Sequence, residues 1–309
     1  MLFFVMNSVI QTYNFHRNAQ TKEVIFTFLC ITNGKKWLCI LLAVILFPTG
    51  FYVFARNNEE EIPIPILMYH SILKDESKAG KYIVTPKTLE NDFLYLKENH
   101  YNSITVSDLI AYVYEGVPLP ENPIILTFDD GHYNNMVYLL PLLEKYEMKA
   151  VISVVGSYTD EFSKKDSHNP NYSYLTWEDV KQLHQTGRIE IANHTYNMHE
   201  SSSRKGCSIK KGEKKEEYQK IFKEDLTLLQ TELQQNSDIP APLTFTYPFG
   251  FICQEAQSVL EGSGILASLS CYEKISKISK DPASLYCLGR FNRPNDVPTE
   301  KFMKKLVSH

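Results

Sequence analysis

The stretch Ile124-Ile125-Leu126-Thr127-Phe128-Asp129-Asp130-Gly131 joins an apolar run to two adjacent carboxylates and a glycine. The apolar run predicts a buried strand, and the glycine indicates a turn at its end. Carboxylates at the edge of an apolar core are unfavourable unless they are paired, hydrogen-bonded or bound to a metal. Because neighbouring residues of an extended chain point in different directions, one Asp can bind a cation while the other faces what lies beside it. The alternative is a surface turn in which these residues only cap the strand.

A second predicted strand end carries two histidines. Residues 188–193 alternate as a strand does, and His194 and His199 follow them. On a regular helix this spacing would separate the two side chains by about 140°, so a shared metal requires an irregular loop between them. Imidazole and carboxylate ligands suit zinc and similar divalent ions. The two histidines and one strand-end Asp therefore predict an Asp/His/His metal site.

Together these motifs resemble those of the polysaccharide deacetylase family, the NodB homology group or carbohydrate esterase family 4. Residues 127–131 match the family's first motif, residues 193–195 with His199 match the second, and residues 246–250 look like the third. The resemblance runs from about residue 64 to about residue 294. The spacing of the histidines and the sequence Met68-Tyr69-His70 are most similar to the poly-N-acetylglucosamine de-N-acetylase branch.

The resemblance implies the roles of the central residues. Asp130, His194 and His199 are expected to bind one divalent metal ion, with zinc (Zn2+) as the expected ion, and Asp129 is expected to act as general base. The family's third motif supplies a backbone N–H to the oxyanion, and the matching amide here is that of Phe249.

Two departures from the family concern the partner of the base and the general acid. Thr246 stands where the family usually has an Arg that orients the base, so Arg290 or Arg293 is expected to steady Asp129. The segment 288–292 lacks the His that the family's last motif often supplies as general acid.

His70 is the residue we expect to act as the acid, because it follows the end of the first strand, and His132 is its competitor. A role in packing is the alternative for each of these histidines. Three residues are also expected to contact the substrate, namely Tyr247, Arg290 and His132.

Strands that alternate with helices predict an α/β protein with a parallel sheet. About 245 residues follow the amino-terminal region, which is the size of a barrel of this kind, and the reactive residues follow strands, as in α/β barrels. The resemblance implies a distorted (β/α)7 barrel of the NodB type. The predicted strands are residues 66–69, 124–128, 149–155, 188–193, 243–247, 266–270 and 285–291. The predicted helices begin near residues 86, 107, 134 and 176, with a further helical stripe at 222–233.

Ahead of this domain, residues 37–55 are an uncharged run long enough to cross a bilayer. We therefore predict a short cytoplasmic tail (1–34), a transmembrane anchor (35–56), a linker (57–65) and a catalytic domain (66–309) whose core motifs lie in 121–309. Lysines precede the run and acidic residues follow it, so the positive-inside rule predicts a single-pass protein of the cell membrane with an extracellular catalytic domain. A cleaved signal peptide is the alternative.

Composition narrows the function classes. The net charge of −4 argues against a nucleic-acid partner, so the expected partners are a polysaccharide substrate and, through the amino-terminal helix, the membrane. The sequence has no Gly-x-Ser-x-Gly elbow, which disfavours a serine hydrolase, and no CxxC spacing for a thiolate zinc site.

The sequence thus predicts a metal-dependent hydrolase that removes N-acetyl groups from an extracellular or cell-wall polysaccharide of the N-acetylglucosamine type. An O-acetyl esterase acting on xylan-type glycans would use the same site. A membrane-anchored carbohydrate-binding pseudoenzyme is an alternative from a different class.

Overall fold

The computed structural model describes residues 61–165 and 167–306. The strands of this part of the chain are β1 (Ile62–Ile64), β2 (Ile66–Tyr69), β3 (Ser71–Ile72), β4 (Ile83–Val84), β5 (Asn102–Ile104), β6 (Pro123–Phe128), β7 (Ala150–Val154), β8 (Ile189–Asn193), β9 (Thr244–Thr246), β10 (Ala267–Leu269), β11 (Ser276–Ile278) and β12 (Phe291–Asn292). The α-helices are α1 (Pro86–Glu98), α2 (Val106–Glu115), α3 (Leu140–Tyr146), α4 (Gly156–Lys165), α5 (Trp177–Gln185), α6 (Lys215–Ser237), α7 (Gln254–Gly262) and α8 (Thr299–Met303).

A parallel sheet forms the centre of the domain. Its hydrogen-bonded path runs β10-β9-β8-β7-β6-β2-β12, and β5 also pairs with β6. The segment 288–292 connects the two ends of this path: Leu288 exchanges backbone hydrogen bonds with the end of β10, and β12 pairs with β2. The predicted parallel α/β architecture is confirmed. Seven strands lie on the path, and β5 is an eighth strand of the same sheet.

Strand β6 shows how the sheet positions the site. Leu126 and Phe128 belong to the apolar cluster that includes the helices α1 and α5, whereas Ile125 belongs to a second cluster with β7 and β10. Because side chains alternate along a strand, Thr127 and Asp129 lie on the same side as Ile125. The pattern of the strand thus directs Asp129 into the interior of the curled sheet.

The ends of three helices agree with the predictions from local sequence. Thr85 caps α1, with Pro86 at the first helical position. Thr176 and Asp179 form the predicted capping box of α5. Gly116 ends α2 in the left-handed conformation (φ 78°) that glycine adopts without steric cost.

Other boundaries differ from the predictions for reasons of long-range pairing. The predicted linker is wrong for its last residues, because β1 pairs antiparallel with β11 and Ile64 is fully buried. The predicted strand 285–291 is not continuous: Leu288 forms an isolated parallel bridge with Leu269 of β10, and only Phe291 of this segment belongs to β12. The predicted helix 134–147 begins as a π-helical turn, Asn135–Leu139, ahead of α3. Helices α4, α7 and α8 were not predicted.

No helix among residues 61–165 and 167–306 has the length and apolar character needed to span a bilayer. The predicted tail (1–34) and anchor (35–56) lie outside the described residues.

Candidate active site

The two adjacent carboxylates diverge because the backbone turns at the end of β6. Asp130 has φ 72° and Gly131 has φ 69°, both in the left-handed region. Asp tolerates that region better than most residues with a side chain. A Cβ atom on Gly131 would lie 3.2 Å from a Val154 side-chain carbon, so glycine also permits close packing against β7. The turn points Asp130 toward the histidines and leaves Asp129 beside Arg290.

Asp130, His194 and His199 come together as a group that fits a metal ion. Their ligand atoms all lie within 4.8 Å of one another. Asp130 Oδ1 is 3.5 Å from His194 Nε2 and 3.2 Å from His199 Nε2. Two ligands of a tetrahedral zinc, each about 2.1 Å from the ion, are about 3.4 Å apart, so the spacing and the donor types suit such an ion.

The orientation of His194 supports the same interpretation. Its Nδ1 lies 2.8 Å from the carbonyl oxygen of Thr246, to which it can donate its proton. That hydrogen bond leaves the lone pair of Nε2 directed at Asp130, as ligating histidines require. Tyr158 Oη lies 3.4 Å from His199 Nδ1, a long contact on the corresponding side of the second ring.

Asp129 is held by a buried arginine. Arg290 forms two parallel hydrogen bonds to its carboxylate, Nη1 to Oδ1 and Nη2 to Oδ2, each 2.8 Å long. Arg290 is completely buried, and Arg293 instead pairs with Asp92. Of the two arginines proposed from the sequence, Arg290 is therefore the one that contacts Asp129.

Both carboxylates are held in the charged form. Burial alone would raise the pKa of Asp129, but the charge and hydrogen bonds of Arg290 bring that pKa below its usual value. Burial likewise opposes ionisation of Asp130, and the close imidazoles of His132, His194 and His199 outweigh it, so its pKa lies well below the usual range.

The two candidate acids, His70 and His132, lie next to different carboxylates. His70 Nε2 lies 4.0 Å from Asp129 Oδ2, whereas His132 Nε2 lies 3.6 Å from Asp130 Oδ2 and its ring stacks on Tyr174. Burial lowers the pKa of His70, and the nearby carboxylates offset this only in part. Both histidines line the same cleft, but His70 is the one beside the candidate base.

The third motif places Phe249 next to His199. Phe249 has φ 55° within the short 3-10 turn Pro248–Gly250, and its ring lies 4.5 Å from that of His199. Gly250 is required there, because a Cβ atom would lie 2.6 Å from Cβ of Cys271.

Two residues expected to contact the substrate lie behind the cleft. Tyr247 is 1% exposed and Arg290 is 0% exposed, and neither lines the cleft. The side chain of Tyr247 packs on Phe245, in the apolar cluster that includes residues of α6 and α7. Because residues two apart on an extended chain point to the same side, Tyr247 faces this cluster and not the cleft. Neither residue therefore presents a surface to the cleft, whereas His132 does line it.

The cleft has a volume of 710 Å³ and an aromatic rim. Tyr82, Tyr172 and Phe249 line it and are each about half exposed or more, at 49%, 62% and 48%. Flat, exposed aromatic faces beside polar groups suit ligands with both apolar and hydroxylated surfaces. Tyr82 was not predicted as a site residue, because an isolated tyrosine in a loop gives no periodic signal that could have identified it.

Comparison with known proteins agrees with this geometry. The family description "Polysaccharide deacetylase" matches residues 116–267, so this part of the chain carries a domain of that family. A poly-beta-1,6-N-acetyl-D-glucosamine N-deacetylase of Escherichia coli (strain K12) is 26% identical over 189 residues, covering 55% of this chain and 28% of that protein. The enzyme of the same name from Staphylococcus aureus (strain MRSA252) is 22% identical, covering 62% of each. The chain thus spans less than two thirds of the length of these relatives.

Among solved structures, the de-N-acetylase of Aggregatibacter actinomycetemcomitans superposes with a TM-score of 0.68 at 22% identity, covering 79% of this chain and 100% of that one. This likeness shows that the two proteins share a fold.

Proposed function

We propose that this protein is a metal-dependent deacetylase that removes N-acetyl groups from a polysaccharide of the N-acetylglucosamine type. The observation that carries the proposal is the division of the Asp129–Asp130 pair. Asp130 faces two histidines at spacings that suit a metal, and Asp129 faces the same cleft in a charged state fixed by Arg290. The names of the two N-deacetylases similar to this chain support the choice of an N-acetylated glycan.

In this proposal Asp130, His194 and His199 hold the ion, and zinc is the ion that the donor set suits. When bound, such an ion supplies a Lewis acid that polarises the acetyl carbonyl and acidifies water. Asp129 takes the proton of the attacking water, and the two hydrogen bonds from Arg290 keep its carboxylate ionised and oriented. The amide N–H of Phe249 donates to the oxygen that becomes negative at the tetrahedral carbon.

Expulsion of an amine requires a proton, and we assign its delivery to His70. This histidine lines the cleft beside the base, at 4.0 Å from Asp129, and its Nδ1 has no hydrogen-bond partner among the described residues. A proton taken by Asp129 from water can pass to the leaving nitrogen by way of this ring. The lowered pKa of His70 makes its protonated form a stronger acid.

Acetate release tests the proposed function directly. We expect the full chain, loaded with Zn2+, to release acetate from a β-1,6-linked N-acetylglucosamine oligomer faster than from acetylated xylan. His194→Ala is the control and should lose both bound zinc and acetate release. Faster release from the xylan would support the O-acetyl esterase, and binding of the oligomer with no release from either substrate would support the carbohydrate-binding module.

His70→Ala should lower turnover of the N-acetylated oligomer at least tenfold, the conservative end of the effect of a general acid. The loss should be smaller on nitrophenyl acetate, because that leaving group departs without a proton. Steady-state rates on both substrates provide the measurement, and zinc content should not change. Equal losses on the two substrates would contradict the assignment and leave His132 as the candidate.

We also propose that the segment 35–56 anchors the catalytic domain outside the cell, on the sequence argument alone. Protease added to intact cells should then degrade the domain. A domain protected from the protease until the cells are lysed would contradict this topology.

A further inference from the structure

The loop that carries the two metal-binding histidines is attached to helix α6 through one side chain. Asp225 Oδ1 accepts the backbone N–H of Tyr196 and Oδ2 accepts that of Asn197, each at 2.8 Å. Both amides lie between His194 and His199. A single carboxylate from a helix therefore fixes the backbone midway between two ligands of the proposed metal site.

This loop needs such support because its conformation is irregular. Thr195 has φ 72°, which is unfavourable for a β-branched residue. On its other side, the carbonyl oxygens of Thr195 and Tyr196 accept the backbone N–H groups of Gly156 and Ser157 at the start of α4. The loop is thus held from two sides, with its carbonyls bound to α4 and its amides bound to Asp225.

Asp225 lies where an apolar residue would be expected. It sits between Phe222 and Leu229 on the buried face of α6 and is only 9% exposed. Among the described residues it takes part in no ion pair within 4.0 Å. Burial raises its pKa to about 6, which the two backbone N–H groups only partly oppose. A buried, unpaired carboxylate is costly, so its presence indicates a specific task.

From this geometry we infer that Asp225 is a positioning residue for the metal site, setting the separation of His194 and His199 through the loop backbone. The inference rests on the proposed metal site, because it assigns a function to Asp225 only if the two histidines share an ion. In this role Asp225 affects metal affinity and coordination geometry without contacting the ion or the substrate.

The test is Asp225→Asn, which preserves the volume of the side chain but presents an amide NH2 to one of the two backbone donors. We expect the full chain to bind Co2+ about 10- to 100-fold more weakly, the range typical when a group that orients metal ligands is changed. The visible absorption of bound Co2+, which reports coordination geometry, should change as well. Asp225→Ser, which keeps one oxygen acceptor, provides the same test should the Asn variant not fold.

Asp108→Asn is the matched control. Asp108 also accepts a backbone N–H, that of Thr105 at 2.8 Å, but this bond caps α2 and does not hold the loop that carries His194 and His199. This control should lower the melting temperature and leave Co2+ affinity and absorption unchanged. If Asp225→Asn behaves as the control does, Asp225 only fastens the loop for stability and the inference fails. Wild-type protein that binds no Co2+ would instead contradict the proposed metal site itself.

Discussion

In the proposed mechanism, Asp129→Asn should reduce turnover by about 10² to 10⁴ without loss of bound zinc. The amide of asparagine has nearly the shape of the carboxylate but cannot accept the proton of the attacking water. Asp129 contributes no atom to the group formed by Asp130, His194 and His199, so the ion should remain. Turnover on an N-acetylated oligomer and zinc content of the purified variant provide the two measurements.

Asp130→Asn is the matched control, since it makes the same chemical change at the neighbouring position. This variant should lose zinc, because an amide oxygen is a weaker ligand than a carboxylate and lacks its charge. If zinc were lost from the Asp129 variant and retained in the Asp130 variant, the two roles would be reversed. The melting temperature should accompany both measurements, because Arg290 is fully buried against Asp129.

Asp92→Ala should lower the free energy of unfolding by about 3 to 5 kcal/mol, the cost of removing one partner of a buried ion pair. Asp92 and Arg293 are 0% and 1% exposed, and the arginine contacts both carboxylate oxygens at 2.8 and 2.9 Å. Tyr69 and Thr299 donate further hydrogen bonds to the same carboxylate. Removal of Asp92 therefore leaves a buried guanidinium without its counter-ion and two hydroxyl groups without their hydrogen-bond acceptor.

Urea unfolding of the variant and of the wild type measures this difference. Glu90→Gln is a suitable control, because Glu90 lies on the same helix α1 but pairs with Lys145 near the surface. The exposed pair should contribute little to stability. Similar midpoints for Asp92→Ala and wild type would show that the buried pair is not a major source of stability.

The ends of β6 and β8 could be predicted from the sequence because their signals are local. An apolar run, a turn and an abrupt change to Asp or His lie within a few residues of one another. The choice between Arg290 and Arg293 is different. Both arginines follow Leu288 closely, and which of them reaches Asp129 depends on how β12 pairs with β2 across the sheet. No pattern within the segment itself contains that register.

Asp225 marks a similar limit. A charged residue within the apolar stripe Phe222–Leu229 is a visible irregularity in the sequence, and it could have been identified as a buried polar group. The partners of Asp225 are backbone amides, however, and these have no sequence signature. The pairing of β1 with β11 was missed for the same reason, because Pro63 reads as a linker until its partner strand is known.

The position of Arg290 along the chain has a consequence for biosynthesis. Asp130, His194 and His199 precede Arg290, so a growing polypeptide contains the three proposed ligands before it contains the cation that pairs with Asp129. Strand β12, which follows Arg290 directly, also pairs with β2 from the beginning of the domain. A nascent or truncated chain that stops before this segment would keep the ligands yet lack the oriented carboxylate. In the proposed mechanism, the cation that orients the base is therefore synthesised after all three residues proposed to hold the ion.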